Sequence, residues 1–580
     1  MSRIFAPTVF PTTATQERDV ALRVNQVGYR PLEPKVGLAL SREDLHGQTF
    51  QVLTDSGAVA LEGQVGKDRG PYGSFAHLYE IDFSSLDQTG RYCLALDKNR
   101  SVPFQVDDAA FQPLIAPTLD FFEVQKCGAE ASSLHGPCHV EDGVAASSPE
   151  GSGDRSKALP DGHTSAPSPN GPAPVDAPHV NAVGGWHDAG DYIKFMVTTG
   201  VSELLMLTAW QRHPEAFTTS GESTPLVLRE AKVGLDWMLG MWDPTAGVLY
   251  HQVGDESDHE HWRMPEQDQG ARPVWACEPG RGANVAGKTA ASLALAYTIF
   301  NDRTKDWYDP DRAARYLEGA QQIYDWGKSR PLAQSTNPSN FYPATTTDDD
   351  MALAAAELYR ATGQAQFLQE AKQYAAQAGS APFDVDDVHA LAHYELGRLD
   401  PSYRSTAVAA LASDLEPLRK HAQADPFHAA PASFGWGSVE RLTASSLEAK
   451  WYEDLTNDPK YRDMAQQQRD YILGCNPWGV SLVSGTGTVW PHHPHHQIAD
   501  LRQAEIPGIW AQGPCRMDDW NNQGITLSQP DVYADLQTPE AVFHDDVRDY
   551  VCNEPSINTN ALGLAMTSWF IAPPPTSPVS

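Results

Sequence analysis

Between residues about 21 and 107, apolar and polar positions alternate in short runs: ALRVNQVGYR, KVGLAL, TFQVLTD, FAHLYEIDF, GRYCLAL and VPFQV. Each run is rich in Val, Leu and aromatic residues and is bounded by Gly, Pro, Asp or Ser, the pattern of strands joined by tight turns. This predicts a β-sandwich over 21–107. After Asp107 the period becomes helical. About a dozen helical stretches follow from 112 onward, too apolar and too numerous for a four-helix bundle, with few convincing strands between them. Asp400–Pro401 reads as an N-cap followed by Pro at the first helical position. Gly363 and Gly474 stand like C′ glycines after MALAAAELYRAT and KYRDMAQQQRDYIL. A mainly α domain is therefore expected over 108–572, between a flexible N-terminus (1–20) and a Pro-rich tail (573–580). Residues 141–182 break the pattern, because a stretch so rich in Ala, Ser, Gly and Pro supplies no packed element.

Composition narrows the class of function. The 580 residues carry 42 Lys+Arg against 75 Asp+Glu, a formal net charge of −33. Binding to nucleic acid or an anionic membrane needs the opposite balance, so neither is expected, and acidic substrates are disfavoured. No stretch approaches the length of an apolar span. The opening MSRIFAPTVFPTTATQERD shows no secretory signal, so an extracellular location would require that the start had been trimmed. Seven cysteines without C-x-x-C spacing do not make a disulfide framework.

Three clusters carry candidate chemistry. In GGWHDAGDYIKF, Asp188 and Asp191 are three residues apart, so on one turn both carboxylates can share a water or a cation. FHDDVRDYVCNEPSINTNA holds Asp545, Asp546, Asp549 and Glu554. There Asn553 is expected to cap the following helix and place Glu554 in its first turn. A helix N-terminus lowers a carboxylate's pKa, so for Glu554 to act as an acid, burial and the charges of Asp545 and Asp549 must override the dipole. TVWPHHPHHQ sets His492, His493, His495 and His496 beside Trp490; consecutive histidines seldom converge on one ion, and a polar cleft wall is the favoured reading. Trp186, Trp262, Trp275, Trp436, Trp490, Trp510 and Trp520 sit in Gly- or Pro-rich loops, where aromatic faces beside carboxylates suit sugar stacking.

Taken in order, these blocks resemble glycoside hydrolase family 9, in the branch with an N-terminal immunoglobulin-like domain. The likeness runs from about 21 to 572 through VNQVGYRP, GGWHDAGDY, YHQVGDESDHEHW, RPVWACEPGRGANVAGKTAASLALA and SFGWGS. The C-terminal signature is met at Phe543, Asp545, Tyr550, Glu554, Ser556, Asn560 and Ala561. The resemblance implies an (α/α)6 barrel with an open cleft and inverting hydrolysis of β-1,4-glucosidic bonds. It assigns Asp191 as general base, Asp188 as a holder of the attacking water and Glu554 as general acid. His495 matches a substrate-contacting histidine, while Gln497 stands where the family's block carries an arginine, which removes a charged donor to sugar hydroxyls. With Trp262, Trp436 and Asp545 these are the expected substrate contacts.

The same resemblance extends to metals. Cys127, Cys138, His139 and His187 match a structural Cys2His2 zinc set carried by some members, which would clip the loose loop. His135, His163 and His179 are rival fourth ligands. The family often binds calcium, for which Asp349 and Asp350 match, with Asp348 and Asp386 nearby. The leading function is a monomeric endo-β-1,4-glucanase acting on cellulose or soluble β-1,4-glucans. The alternatives are an exo-acting β-glycosidase on cellodextrins or glucosamine oligomers and, from another class, a carbohydrate-binding protein without catalysis.

Overall fold

The computed structural model describes residues 19–146, 180–218, 223–268, 270–379 and 382–571. The segments read as a flexible N-terminus and a Pro-rich tail therefore lie almost wholly outside the described residues, as does most of 141–182 with His163 and His179.

The N-terminal strands build two facing sheets. Val20–Arg23, Val36–Ser41 and His77–Asp82 form an antiparallel three-stranded sheet. Gly28–Tyr29, Phe104–Val106, Gly90–Leu96, Thr49–Thr54 and Val59–Gln64 follow one another across the second sheet, and Asn99–Arg100 pairs with Gly90–Leu96 from outside that path. Because side chains alternate across a strand, the three-stranded sheet has two distinct faces. Val20, Leu22, Ala39, Tyr79 and Ile81 meet Phe50, Val52, Leu94 and Phe104 inside the sandwich. Ala21, Leu38, Leu40 and Leu78 point the other way and belong to the core of the helical domain. That is why KVGLAL reads as an unbroken apolar run: its strand is covered on both sides.

Polar contacts fix the same seam. Arg469, 1% exposed in its side chain, meets both carboxylate oxygens of Glu33 at 2.8 and 3.0 Å and also bonds Asp470. Its guanidinium lies 4.3 Å from the ring of Phe111 and 4.5 Å from that of Phe570. Gln26 receives the backbone N–H groups of Thr488 and Val489 and donates to Gly479. Gly474 has φ +124°, and a Cβ there would stand 2.6 Å from Gln26, so the helix stop and the domain contact require the same glycine.

Among the described residues, twelve helices have 11 residues or more: α1 (Ile115–Gln125), α2 (Met196–Arg212), α3 (Leu226–Gly240), α4 (Ala283–Phe300), α5 (Pro310–Lys328), α6 (Asp348–Thr362), α7 (Ala365–Ala375), α8 (His389–Leu399), α9 (Arg404–Ala424), α10 (Ser438–Thr456), α11 (Arg462–Ile472) and α12 (Ile557–Ile571). Packing runs α2–α4–α6–α8–α10–α12 and returns to α2, a closed inner ring. The remaining six lie outside it, α1 on α12, α3 on α2, α5 on α4, α7 on α6, α9 on α8 and α11 on α10. This is an (α/α)6 barrel. The sequence shows which helices are inner: α2 is buried from Met196 to Trp210 with no polar face, whereas outer α5 buries only Ala313, Tyr316, Ala320, Ile323 and their neighbours on one stripe.

Two local expectations are corrected. Helix α9 starts at Arg404, because the Asp400 carboxylate takes the Ser402 N–H and its partner Lys372, making a turn instead of an N-cap. Strands also occur inside the helical domain: Lys194–Phe195, Val248–Val253, Pro273–Ala276 and Val144–Ala146 form one small sheet, to which Trp242–Asp243 pairs through Val248–Val253. Most are too short to show a period in the sequence, and the six-residue Val248–Val253 is buried along nearly its whole length, which leaves no alternation to read.

Candidate active site

The turn Asp188–Asp191 lies at the barrel mouth just before α2. Asp188 donates its N–H to Ile193 (2.9 Å), and its carbonyl takes the N–H of Ile557 at the start of α12 (2.9 Å). Its carboxylate accepts hydrogen bonds from the Thr198 hydroxyl and, at 2.6 Å, from the Tyr342 hydroxyl. Burial, and then the charge of Asp191, push Asp188 up to about 7 against these two donors. Asp191 accepts the Ile193 N–H at 2.7 Å through one oxygen and lies 2.9 Å from His259 Nε2 through the other.

Gly190 joins this turn to the third carboxylate. Its N–H donates to Glu554 Oε1 at 3.3 Å, and its carbonyl accepts the N–H of Gln497 at 2.9 Å. A Cβ at Gly190 would fall 2.1 Å from the carbonyl of His495, so the D-A-G-D glycine is needed for close approach of two chains. Glu554 does not stand in a first turn. A short helix ends at Asn553, α12 starts at Ile557, and Glu554 occupies the extended break between them, with Ser556 providing the hydroxyl cap to Thr559. It therefore escapes the dipole expected from the sequence. Burial first, and then the charge of Asp191, raise it to about 8. Asp545 and Asp549 are not the source of that shift. Asp545 accepts the N–H groups of His492 and His493, and Asp549 caps the short helix and pairs with His544 at 2.7 Å.

His259 was not anticipated from the sequence. It lies on a short turn whose Asp258 accepts the Tyr192 N–H at 2.7 Å, which fastens this turn to the aspartate turn. Burial disfavours its charge, but the hydrogen bond to Asp191 and the charges of Asp191, Asp258 and Glu554 outweigh that and raise it to about 9. The D-x-x-D pair thus faces an imidazolium. The spacing of YHQVGDESDHEHW gives no hint of this, since the contact spans 68 residues.

The histidine block does not converge on an ion. His492 pairs with Glu505, His493 with Asp545, His495 Nδ1 with the Val547 carbonyl (2.7 Å) and His496 with Gln125. The His495 ring packs edge-on against Trp262 (4.9 Å) and Tyr550 (5.6 Å), and Tyr550 in turn meets Trp436, which is 47% exposed. Those aromatic faces line the mouth. Gln497, expected as a substrate contact, is instead buried and braces the wall: its side-chain oxygen accepts the Arg263 N–H at 3.2 Å. Trp186, Trp275 and Trp510 are also core residues.

Cys127, Cys138, His139 and His187 meet in one buried cluster whose ligand atoms all lie within 4.8 Å of one another. His139 Nδ1 and His187 Nε2 are 3.3 Å apart, Cys127 Sγ is 3.7 Å from His139, and Cys138 Sγ is 3.8 Å from His187. A tetrahedral Zn²⁺ with its usual bond lengths requires about 3.3 Å between two nitrogens and about 3.6 Å between nitrogen and sulfur. The donor set fits such an ion. His139 is oriented from behind by Asp268 at 3.2 Å. His135 is no rival, since its two ring nitrogens face the carbonyls of Gly136 and Val124. The calcium expectation does not fit. The buried Lys288 ammonium already pairs with Asp350 and meets the Asp386 carbonyl at 3.2 Å, and Asp349 accepts the Val388 N–H at 2.7 Å. Asp349 Oδ1 and Asp350 Oδ2 are left over, two oxygens where calcium takes about six to eight.

Comparison with known proteins now places this arrangement. The profile of "Glycosyl hydrolase family 9" matches residues 111–567, and that of "Cellulase N-terminal ig-like domain" matches 17–101. A xyloglucan-specific endo-β-1,4-glucanase of Bacteroides ovatus is 28% identical, over 96% of this chain and 94% of its own. Endoglucanase D of Acetivibrio thermocellus is 24% identical, over 96% and 84%. The crystal structure of a metagenome-derived glycoside hydrolase family 9 endoglucanase superimposes with a TM-score of 0.78 at 25% identity, covering 95% of this chain and 99% of that one.

Proposed function

The chain belongs to glycosyl hydrolase family 9, and on that premise we propose that it is an endo-β-1,4-glucanase that inverts configuration at the anomeric carbon. Asp191 removes a proton from water, Asp188 holds that water, and Glu554 protonates the leaving oxygen on the other side of the sugar. The observation that carries this reading is the Gly190 amide. It lies between the two aspartates and donates to Glu554, so one rigid turn sets the spacing of all three carboxylates. The raised pKa of Glu554 keeps it protonated at neutral pH, as a donor requires. His259, on the far oxygen of Asp191, leaves that base one defined orientation. Trp262, Trp436 and His495 offer faces and edges to sugar rings. Zinc is structural in this reading: four protein ligands close its shell, leaving no place for a reacting water, and His187 links the clip to Asp188.

Endo action is tested by following viscosity and reducing ends together on carboxymethylcellulose. A steep viscosity loss at low reducing-end yield is expected. Release of a single short product with viscosity unchanged would move the assignment to an exo-acting glycosidase.

A further inference from the structure

The zinc clip and the turn that carries the base meet at one residue, Arg263. It stands half-buried on the loop that follows His259. The two hydrogens of its Nη2 have one carboxylate each: Asp258 Oδ1 at 2.6 Å, and Asp268 Oδ2. Asp268 Oδ2 is the same atom that stands 3.2 Å behind the His139 ring. Asp258 is divided in the same way. One of its oxygens takes Arg263, and the other takes the Tyr192 N–H at 2.7 Å. Tyr192 follows Asp191 in the chain, and His259 follows Asp258. With the contact between His259 and Asp191, these links close a ring: Asp191, Tyr192, Asp258, His259 and back to Asp191. Arg263 holds that ring from three sides. Besides its bond to Asp258, its carbonyl accepts the Tyr192 hydroxyl at 2.5 Å, and its N–H donates to Gln497 Oε1 at 3.2 Å. Gln497 donates its own N–H to the Gly190 carbonyl, inside the aspartate turn.

Buried ion pairs of this kind contribute little net stability, because desolvation offsets their attraction. What the guanidinium supplies is direction. Its N–H groups lie in one rigid plane, so the carboxylates that accept from it are fixed relative to each other. A lysine ammonium on a flexible stem would keep the charge and lose those angles. Asp268 is in turn held by His139, a ligand of the metal cluster, so the far end of the brace rests on the most tightly tied part of the loop region.

We propose that Arg263 is a positioning residue that braces the Asp191–His259 ring against the zinc clip and so keeps the base aimed at its water. This rests on the assignment of Asp191 as the base. The effect of Arg263 runs through Asp258 and His259, and not through contact with the sugar. A loosened ring lets the Asp191 carboxylate turn away from the reacting geometry, which costs rate and leaves substrate binding in place.

The test is a double-mutant cycle on zinc-loaded protein. It measures kcat and KM on a cellodextrin, and zinc content, for the wild type, Arg263→Lys, His259→Ala and the pair. For Arg263→Lys, kcat should fall about 10- to 100-fold with KM little changed. Zinc should be retained, since its four ligands are untouched. Because both residues act on one carboxylate, the double variant should be no slower than the slower single variant. Full kcat in Arg263→Lys, a loss confined to KM, loss of the zinc, or two effects that multiply in the pair would each overturn the inference. Should Arg263→Lys fail to fold, Asp268→Asn removes the charge at the other end of the brace and leaves His139 an acceptor. The same fall in kcat and the same lack of additivity with His259→Ala are expected there, and full kcat overturns the inference. Asp191→Asn is the control: if it keeps the full rate, the base assignment itself fails, and this inference with it.

Discussion

His259 Nε2 lies 2.9 Å from Asp191 Oδ2, so the base assigned to the water is held by an imidazolium supplied from 68 residues downstream. For His259→Ala, kcat should fall about 10- to 100-fold with KM little changed, as the carboxylate loses its fixed orientation. Full kcat in a folded variant would show that the contact has no part in the reaction.

Glu554 sets the alkaline limb. A general acid works only while protonated, so activity is present below its raised pKa and lost as pH climbs through about 8. Glu554→Gln should abolish that limb and lower kcat about 10²- to 10⁴-fold, with cellodextrin binding largely retained. Glycosides with good leaving groups, which need no proton, should be spared. The measurement is kcat/KM against pH on both classes of substrate.

Zinc binding to the Cys127–Cys138–His139–His187 cluster should appear as thermal stability. An ion held at 100 times its dissociation constant adds about 2.7 kcal/mol. Chelation should therefore lower Tm before it lowers the rate at 25 °C, and Cys138→Ser should reproduce the loss. Metal analysis finding no zinc in protein refolded with zinc would refute the site.

The sandwich should act through packing. Leu38 is buried against the helical domain, and Leu38→Ala should cost about 2–5 kcal/mol with KM unchanged. Deleting residues 19–107 would take Ala21, Leu38, Leu40 and Leu78 out of the core they share with the helical domain, uncovering its apolar surface, and strip Arg469 of Glu33, leaving a buried charge short of a partner. Loss of soluble protein is expected. A truncated chain of equal Tm would remove the packing role.

Local signals carried much of this molecule. Alternation over 21–107 gave the sandwich and helical periodicity gave about a dozen helices, because burial writes itself into every second or every third to fourth residue, whereas the closure of those helices into a ring came from the family resemblance. The zinc cluster and the three carboxylates were legible because whole motifs surround them. Contacts between distant segments were not. His259 meets Asp191, Tyr342 meets Asp188 and Gly190 meets Glu554 across 68, 154 and 364 residues, separations at which no spacing rule applies. The placement of Glu554 failed for a different reason: Asn553 has the chemistry of a cap, yet the chain breaks there and Ser556 takes that task.

The central claim is the division of labour between Asp191 and Glu554 on opposite sides of the scissile bond. NMR of the first product formed from a β-1,4-linked cellodextrin tests it most directly. Direct attack on the anomeric carbon by a water that Asp191 deprotonates requires the α-anomer to appear first and then mutarotate. A β-anomer appearing first would mean two displacements through a covalent intermediate, with a nucleophile where this structure has a base.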